Sequence, residues 1–122
     1  MLIRIFPIFL LSLFLISCTP TSKQVEIRVR NSSPYTYTNV YVNTSGGENT
    51  YGDIPPGAAS DYKVFNFAYS YAQISLQIDT VDYLLQPIDY VGEHKLSSGK
   101  YTYEVSVYDT ATHQLLLNLV ED

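Results

Sequence analysis

Tryptophan is absent from this 122-residue chain, cysteine occurs once, at Cys18, and only 16% of residues are charged. A lone cysteine cannot close an intramolecular disulfide, so strand pairing and core packing must hold the fold together. The same two shortages exclude an antibody-type immunoglobulin domain, whose marks are an inter-sheet disulfide and a buried tryptophan beside it. Lys and Arg together number seven, scattered singly or in pairs. Nucleic acid is thereby excluded as an expected partner, because tracking a phosphate backbone takes a basic run. The formal charge of −5 is mild and serves solubility. No apolar pattern keeps a helical period for three turns, so helical bundles are excluded as well.

The first thing present is a leader. Met1-Leu2-Ile3-Arg4 supplies a short positive start, and Ile5 to Ile16 is apolar apart from Ser12 and Pro7. That run is shorter than the roughly 20 apolar residues a spanning helix needs. It has the length of the hydrophobic region of a signal peptide and is set aside from fold reasoning. Leu15-Ile16-Ser17-Cys18 follows. These four residues resemble the lipobox of bacterial lipoproteins. The resemblance implies that signal peptidase II recognises Leu15, Ile16 and Ser17 and cuts before Cys18. It also implies a diacylglycerol on the Cys18 thiol and an acyl chain on the freed amine. Two or three acyl chains anchor stably where one does not, at about 0.8 kcal/mol per buried CH₂. An uncleaved anchor, or an ordinary secretory signal with an incidental cysteine, is the other reading of this segment. The expected organisation is a signal peptide over 1–17, a lipidated tether over 18–24 and one domain over 25–122. Thr19 is not the aspartate that resembles an inner-membrane retention signal. The expected location is therefore the outer membrane facing the periplasm, with the cell surface as the alternative.

Beyond the tether the period is two. Val25, Ile27 and Val29 alternate with Glu26, Arg28 and Arg30, which predicts a half-buried strand. Further strands are predicted over 39–43, 62–69, 71–79 and 81–86. Ile54-Pro55-Pro56-Gly57 suits a type II turn, since Pro favours its second position and Gly its third. From Gly99 onward Tyr101, Tyr103, Val105 and Val107 share a face, and Leu115, Leu117 and Leu119 follow across Asp109 to Thr112, a C-terminal hairpin. Seven or so strands between Gly/Pro turns predict an all-β fold, a small antiparallel β-sandwich of immunoglobulin-like or transthyretin-like type, with a small barrel as the alternative. The chain has twelve tyrosines, every one beyond Cys18. Tyrosine favours strands because its ring covers a pleated face while its hydroxyl finds a polar partner.

Motifs for chemistry are sparse. His94 and His113 lack the spacing of a zinc site. Asp79, Asp82, Asp89 and Glu93 form the densest acidic stretch, but without the Asp-x-Asp-x-Asp-Gly loop of a calcium site. No Gly-x-Ser-x-Gly elbow or phosphate-cradling glycine loop is present. No metal, no cofactor and no enzyme activity are expected, the lipid on Cys18 being the only added group. Exposed tyrosines are the remaining candidates for contact, because tyrosine is enriched where proteins meet partners. Tyr35, Tyr37 and Tyr41, with the acidic stretch, make a candidate ligand surface for a glycan or calcium; cross-strand packing is their plainer role. Asp53-Ile54-Pro55-Pro56-Gly57, Ser60-Asp61-Tyr62-Lys63, Pro87-Ile88-Asp89-Tyr90-Val91-Gly92-Glu93 and Gly99-Lys100-Tyr101-Thr102-Tyr103 together resemble small envelope lipoproteins of Bacteroidota-type bacteria. That resemblance implies the location and carries no site. The expected function is a membrane-anchored envelope lipoprotein whose domain is a non-enzymatic interaction or structural module, with an envelope protein or a glycan as partner.

Overall fold

Alternation decides the first strand. In β1 (Val25–Asn31) Val25, Ile27, Val29 and Asn31 are buried while Glu26, Arg28 and Arg30 are half exposed. A period of two sends successive side chains to opposite faces, so one face of the strand enters the core. The computed structural model describes residues 24–88 and 93–122; the expected leader and lipobox, and Asp89, lie outside them. The remaining strands are β2 (Tyr37–Asn43), β3 (Glu48–Ile54), β4 (Lys63–Phe65), β5 (Gln73–Ile78), β6 (Val81–Leu85), β7 (Gly99–Asp109) and β8 (Gln114–Glu121). Among the described residues there is no helix. The fold is all-β.

The strands run β3-β2-β5-β6-β8-β7-β1-β4 in one eight-stranded sheet. Its halves join through a single bridge, Leu84 to Gln114, between β6 and β8. At the other seam the end strand β3 meets β4 and its neighbour β1: Asn49 Nδ2 donates to the Val64 carbonyl at 3.0 Å and the Tyr51 hydroxyl donates to the Ile27 carbonyl at 2.8 Å. A sheet whose ends touch must curl around one core. The result is a sandwich close to a closed barrel. The core draws on both halves, with Val40, Val42, Ile74 and Leu76 from one and Val25, Ile27, Tyr103 and Val105 from the other.

The sheet is mixed rather than wholly antiparallel as the sequence suggested. β1 runs parallel to β7 from Val25–Gly99 to Asn31–Val105, and the β6–β8 bridge is parallel too. Alternation fixes which face is buried but is blind to strand direction. A second difference lies in β2, which begins at Tyr37 and carries a bulge before Val40. Asn39 there has a φ of 52°. The extra residue lets both Tyr37 and Val40 point inward. Fully burying such a side chain gains about 1.5–3 kcal/mol, against about 1–2 kcal/mol for one left-handed residue, which Asn tolerates best. Burial wins.

Registers also give the domain two poles. The chain enters at Val25, beside Gly99 and Phe65. β1 and β7 both run away from that pole, over about 20 Å at roughly 3.3 Å per residue. At the far pole lie the segment after Asn31, the Pro55–Gly57 turn, the Asp79–Thr80 hairpin and the β7–β8 turn. Gly57 has a φ of 77° and Ala58 N–H donates to the Pro55 carbonyl at 3.1 Å, the type II turn its sequence called for.

Candidate functional site

At the far pole, the chain leaving β1 is fixed by one buried amide. Asn31 is fully buried, and its Nδ2 donates to the Tyr35 carbonyl at 2.6 Å and the Ile54 carbonyl at 2.9 Å. Its Oδ1 accepts from the Ser33 N–H at 3.0 Å and the Ser33 hydroxyl at 2.7 Å. Ser32 N–H donates to the Val105 carbonyl, tying the same loop to β7. Every hydrogen-bonding site of the side chain that matters here is used, as a buried amide requires. The loop facing it is fixed likewise. Asp109 Oδ1 accepts from the Ala111 N–H at 2.8 Å. That bond, with the Thr112 hydroxyl, holds the Asp109 carboxyl below the usual carboxylate range and so ionised.

Between these two loops lies a groove of about 400 Å³, lined among others by Ser32, Ser33, Tyr35, Tyr108, Asp109 and Thr110. Tyr35 is 39% exposed and Tyr108 67% exposed. They are the exposed tyrosines among the described residues. Such a groove can stack a flat or ring-shaped ligand on aromatic surface and hydrogen-bond it from hydroxyls and a carboxylate.

The other sequence candidates fall elsewhere. Tyr37 is wholly buried, with its hydroxyl donating to the Val105 carbonyl at 2.7 Å, which removes it from any ligand surface. Burial also raises its pKa. Tyr41 is half-buried on the outer face of β2, bonded to Glu48 at 3.0 Å. The described members of the acidic stretch do not converge. Asp79 sits on the far-pole hairpin, Asp82 accepts from Gln77, and Glu93 accepts from Ser70 at the pole where the chain enters. Among the described residues no group of three or more His, Cys, Asp or Glu could hold a metal ion. His94 is exposed, and the His113 ring lies 5.1 Å from that of Tyr83. Period two fixes only which strand face Tyr108 is on and does not mark it as a ligand residue; its exposure comes from its place at the end of β7.

The densest polar cluster has a structural role. Arg28 Nε donates to Thr102 Oγ1, and Thr102 Oγ1 in turn donates to Asp122 Oδ2 at 2.6 Å. Tyr62 donates to the same oxygen at 2.7 Å, and Arg28 lies against the Tyr62 ring. These bonds hold Asp122 below the usual carboxylate range and clamp the last residue to β1 and β7. The clamp is spent on itself.

No protein-family model and no curated protein matches the chain. A solved structure does: the NMR structure of a protein from Eubacterium rectale, at a TM-score of 0.59 and 11% identity, covering 83% of this chain and 94% of that one. At such identity the likeness is one of fold.

Proposed function

We propose that this chain is an envelope lipoprotein, lipid-anchored at Cys18 in the outer membrane and facing the periplasm, whose β-domain acts by binding rather than by catalysis. The observation that carries the reading is the relation between lipobox and poles. Leu15-Ile16-Ser17-Cys18 stands just ahead of Gln24, where the chain joins β1 at one pole, and the groove walled by Tyr35 and Tyr108 opens at the other. Anchored at the first pole, the domain presents the second to whatever lies beyond the membrane surface. Thr19 to Gln24 is polar and serves as a short tether. Replacing Cys18 by Ala tests the anchor. In cells fed an alkyne fatty acid, the wild type is expected to take up label and the variant to remain an unlabelled precursor. A variant that is processed normally and stays on the membrane would contradict the proposal.

A further inference from the structure

We propose that the Tyr35–Tyr108 groove binds a neutral saccharide chain, an inference that rests on the anchor only for the direction in which the groove faces. Three observations converge on that ligand class. The groove's volume of about 400 Å³ lies within the range of about 300–1,000 Å³ typical of small-ligand sites. Its walls pair aromatic surface with hydroxyls, which matches a sugar ring, with its apolar C–H faces and its rim of hydroxyls. Tyrosine gives rigid amphipathic contact at low entropic cost, and serine gives adaptable hydrogen bonding. Its charge is the carboxylate of Asp109, and no Lys or Arg lines it among the described residues. A phosphate or uronate would therefore meet repulsion, whereas the hydroxyls of a neutral sugar can donate to that carboxylate.

Preorganisation adds to these three. Both walls are held before any ligand arrives, one by the buried Asn31 amide and the other by the bonds to Asp109. Ordering loops on binding costs affinity, so walls already fixed retain more of the contact energy. Clefts of similar size elsewhere present no exposed tyrosine: the one at the β6–β8 seam has Leu84, Leu85 and His113 on its walls, and the tyrosines that line two others, Tyr51 and Tyr83, are buried.

The test uses the whole protein, made with its own leader and purified in detergent. Hexasaccharides of β-1,4-glucan, β-1,4-mannan, β-1,4-xylan, chitin and α-1,4-glucan are titrated calorimetrically, beside polygalacturonate and hexalysine. At least one neutral hexasaccharide is expected to bind saturably, and Tyr108→Ala to weaken it by about tenfold or more, as loss of a central aromatic contact does. Tyr41→Ala, on the outer face of β2, is expected to bind as the wild type. Tyr108 is mostly exposed, so an unchanged circular dichroism spectrum accompanies that loss. Failure of every neutral hexasaccharide would overturn the proposal. So would wild-type binding by both Tyr35→Ala and Tyr108→Ala, or binding of polygalacturonate or hexalysine in their place. Binding in detergent does not depend on acylation, so its outcome is separate from that of the Cys18→Ala labelling.

Discussion

Tyrosine does in this domain what a disulfide does in many small secreted ones. The Tyr37 hydroxyl reaches from β2 across the core to the Val105 carbonyl on β7, and Tyr51 reaches from β3 to Ile27 on β1. Tyr103 ties β7 to the Tyr69 carbonyl at 2.7 Å. Each ring fills core volume while its hydroxyl satisfies a carbonyl, so one residue packs and links at once. The shortage of cysteine and the abundance of tyrosine are thus two sides of one solution. Burial raises the pKa of Tyr51 far above its ordinary value, because an anion there would lose its water. The protonated phenol's contribution is complete below the unfolded value of about 10 and is lost as pH rises from there toward the raised folded value. Denaturant titrations at neutral pH and at about pH 11 should show the wild type losing stability between them. Tyr51→Phe should lose less over that interval. At neutral pH, however, it should be about 1 kcal/mol less stable, having lost the bond to Ile27. An alkaline loss identical in both proteins would count against this assignment.

At the scale of elements, strands with strict alternation were legible and those bent by neighbours were not. β1, β5, β6, β7 and β8 fall within a residue or two of the alternating runs that predict them. No strand is predicted where β3 lies, because its sequence is polar and only Tyr51 and Ile54 turn fully inward. Gly52, at a φ of 71°, and the bulges opposite it break the period that would have marked a strand. In the other direction, the run over 62–69 predicted one strand, yet only Lys63–Phe65 pairs with β1. The reason is Gly46. A Cβ there would stand 2.2 Å from the Phe67 carbonyl oxygen and 2.7 Å from its nitrogen, so the β2–β3 turn lies directly on the backbone after β4. Asn66 N–H donates to the Gly46 carbonyl at 3.0 Å, and Thr44 Oγ1 donates to that of Phe67 at 2.8 Å. These contacts replace the ladder. Gly46→Ala must push two backbone segments apart, at a cost of about 1–3 kcal/mol as for an overpacked core. Gly57→Ala meets no neighbour within 4 Å, though its φ of 77° carries its own strain of about 1–2 kcal/mol. Thermal unfolding of both variants separates contact from strain: a Gly46→Ala protein as stable as the wild type would show that the turn does not rest on Phe67.

For the whole molecule, polarity is the organising fact. Entry of the chain, the Asp122 clamp and the Glu93 segment gather at one pole, while the Asn31 loop, the Pro55–Gly57 turn and the Tyr35–Tyr108 groove gather at the other. The resemblance to a lipobox is plain in the sequence because its four residues are contiguous. The groove is half legible there: Tyr35 belongs to the ligand surface the sequence predicts, but Tyr108 lies 73 positions later and joins it only through the parallel pairing of β1 with β7. Tyr37, two residues from Tyr35, turns the opposite way into the core. Neighbourhood in sequence misleads here; neighbourhood at a pole does not.

The proposed anchor at Cys18 is what would orient both poles, and the mass of the protein tests it most directly. Extracted from the membranes of its own cells and analysed by intact mass and by its N-terminal peptide, the chain should begin at Cys18. Its thiol should carry a diacylglycerol and its amine an acyl chain. A chain that retains Met1 to Ser17, or that begins at Cys18 with a free thiol, would contradict the account.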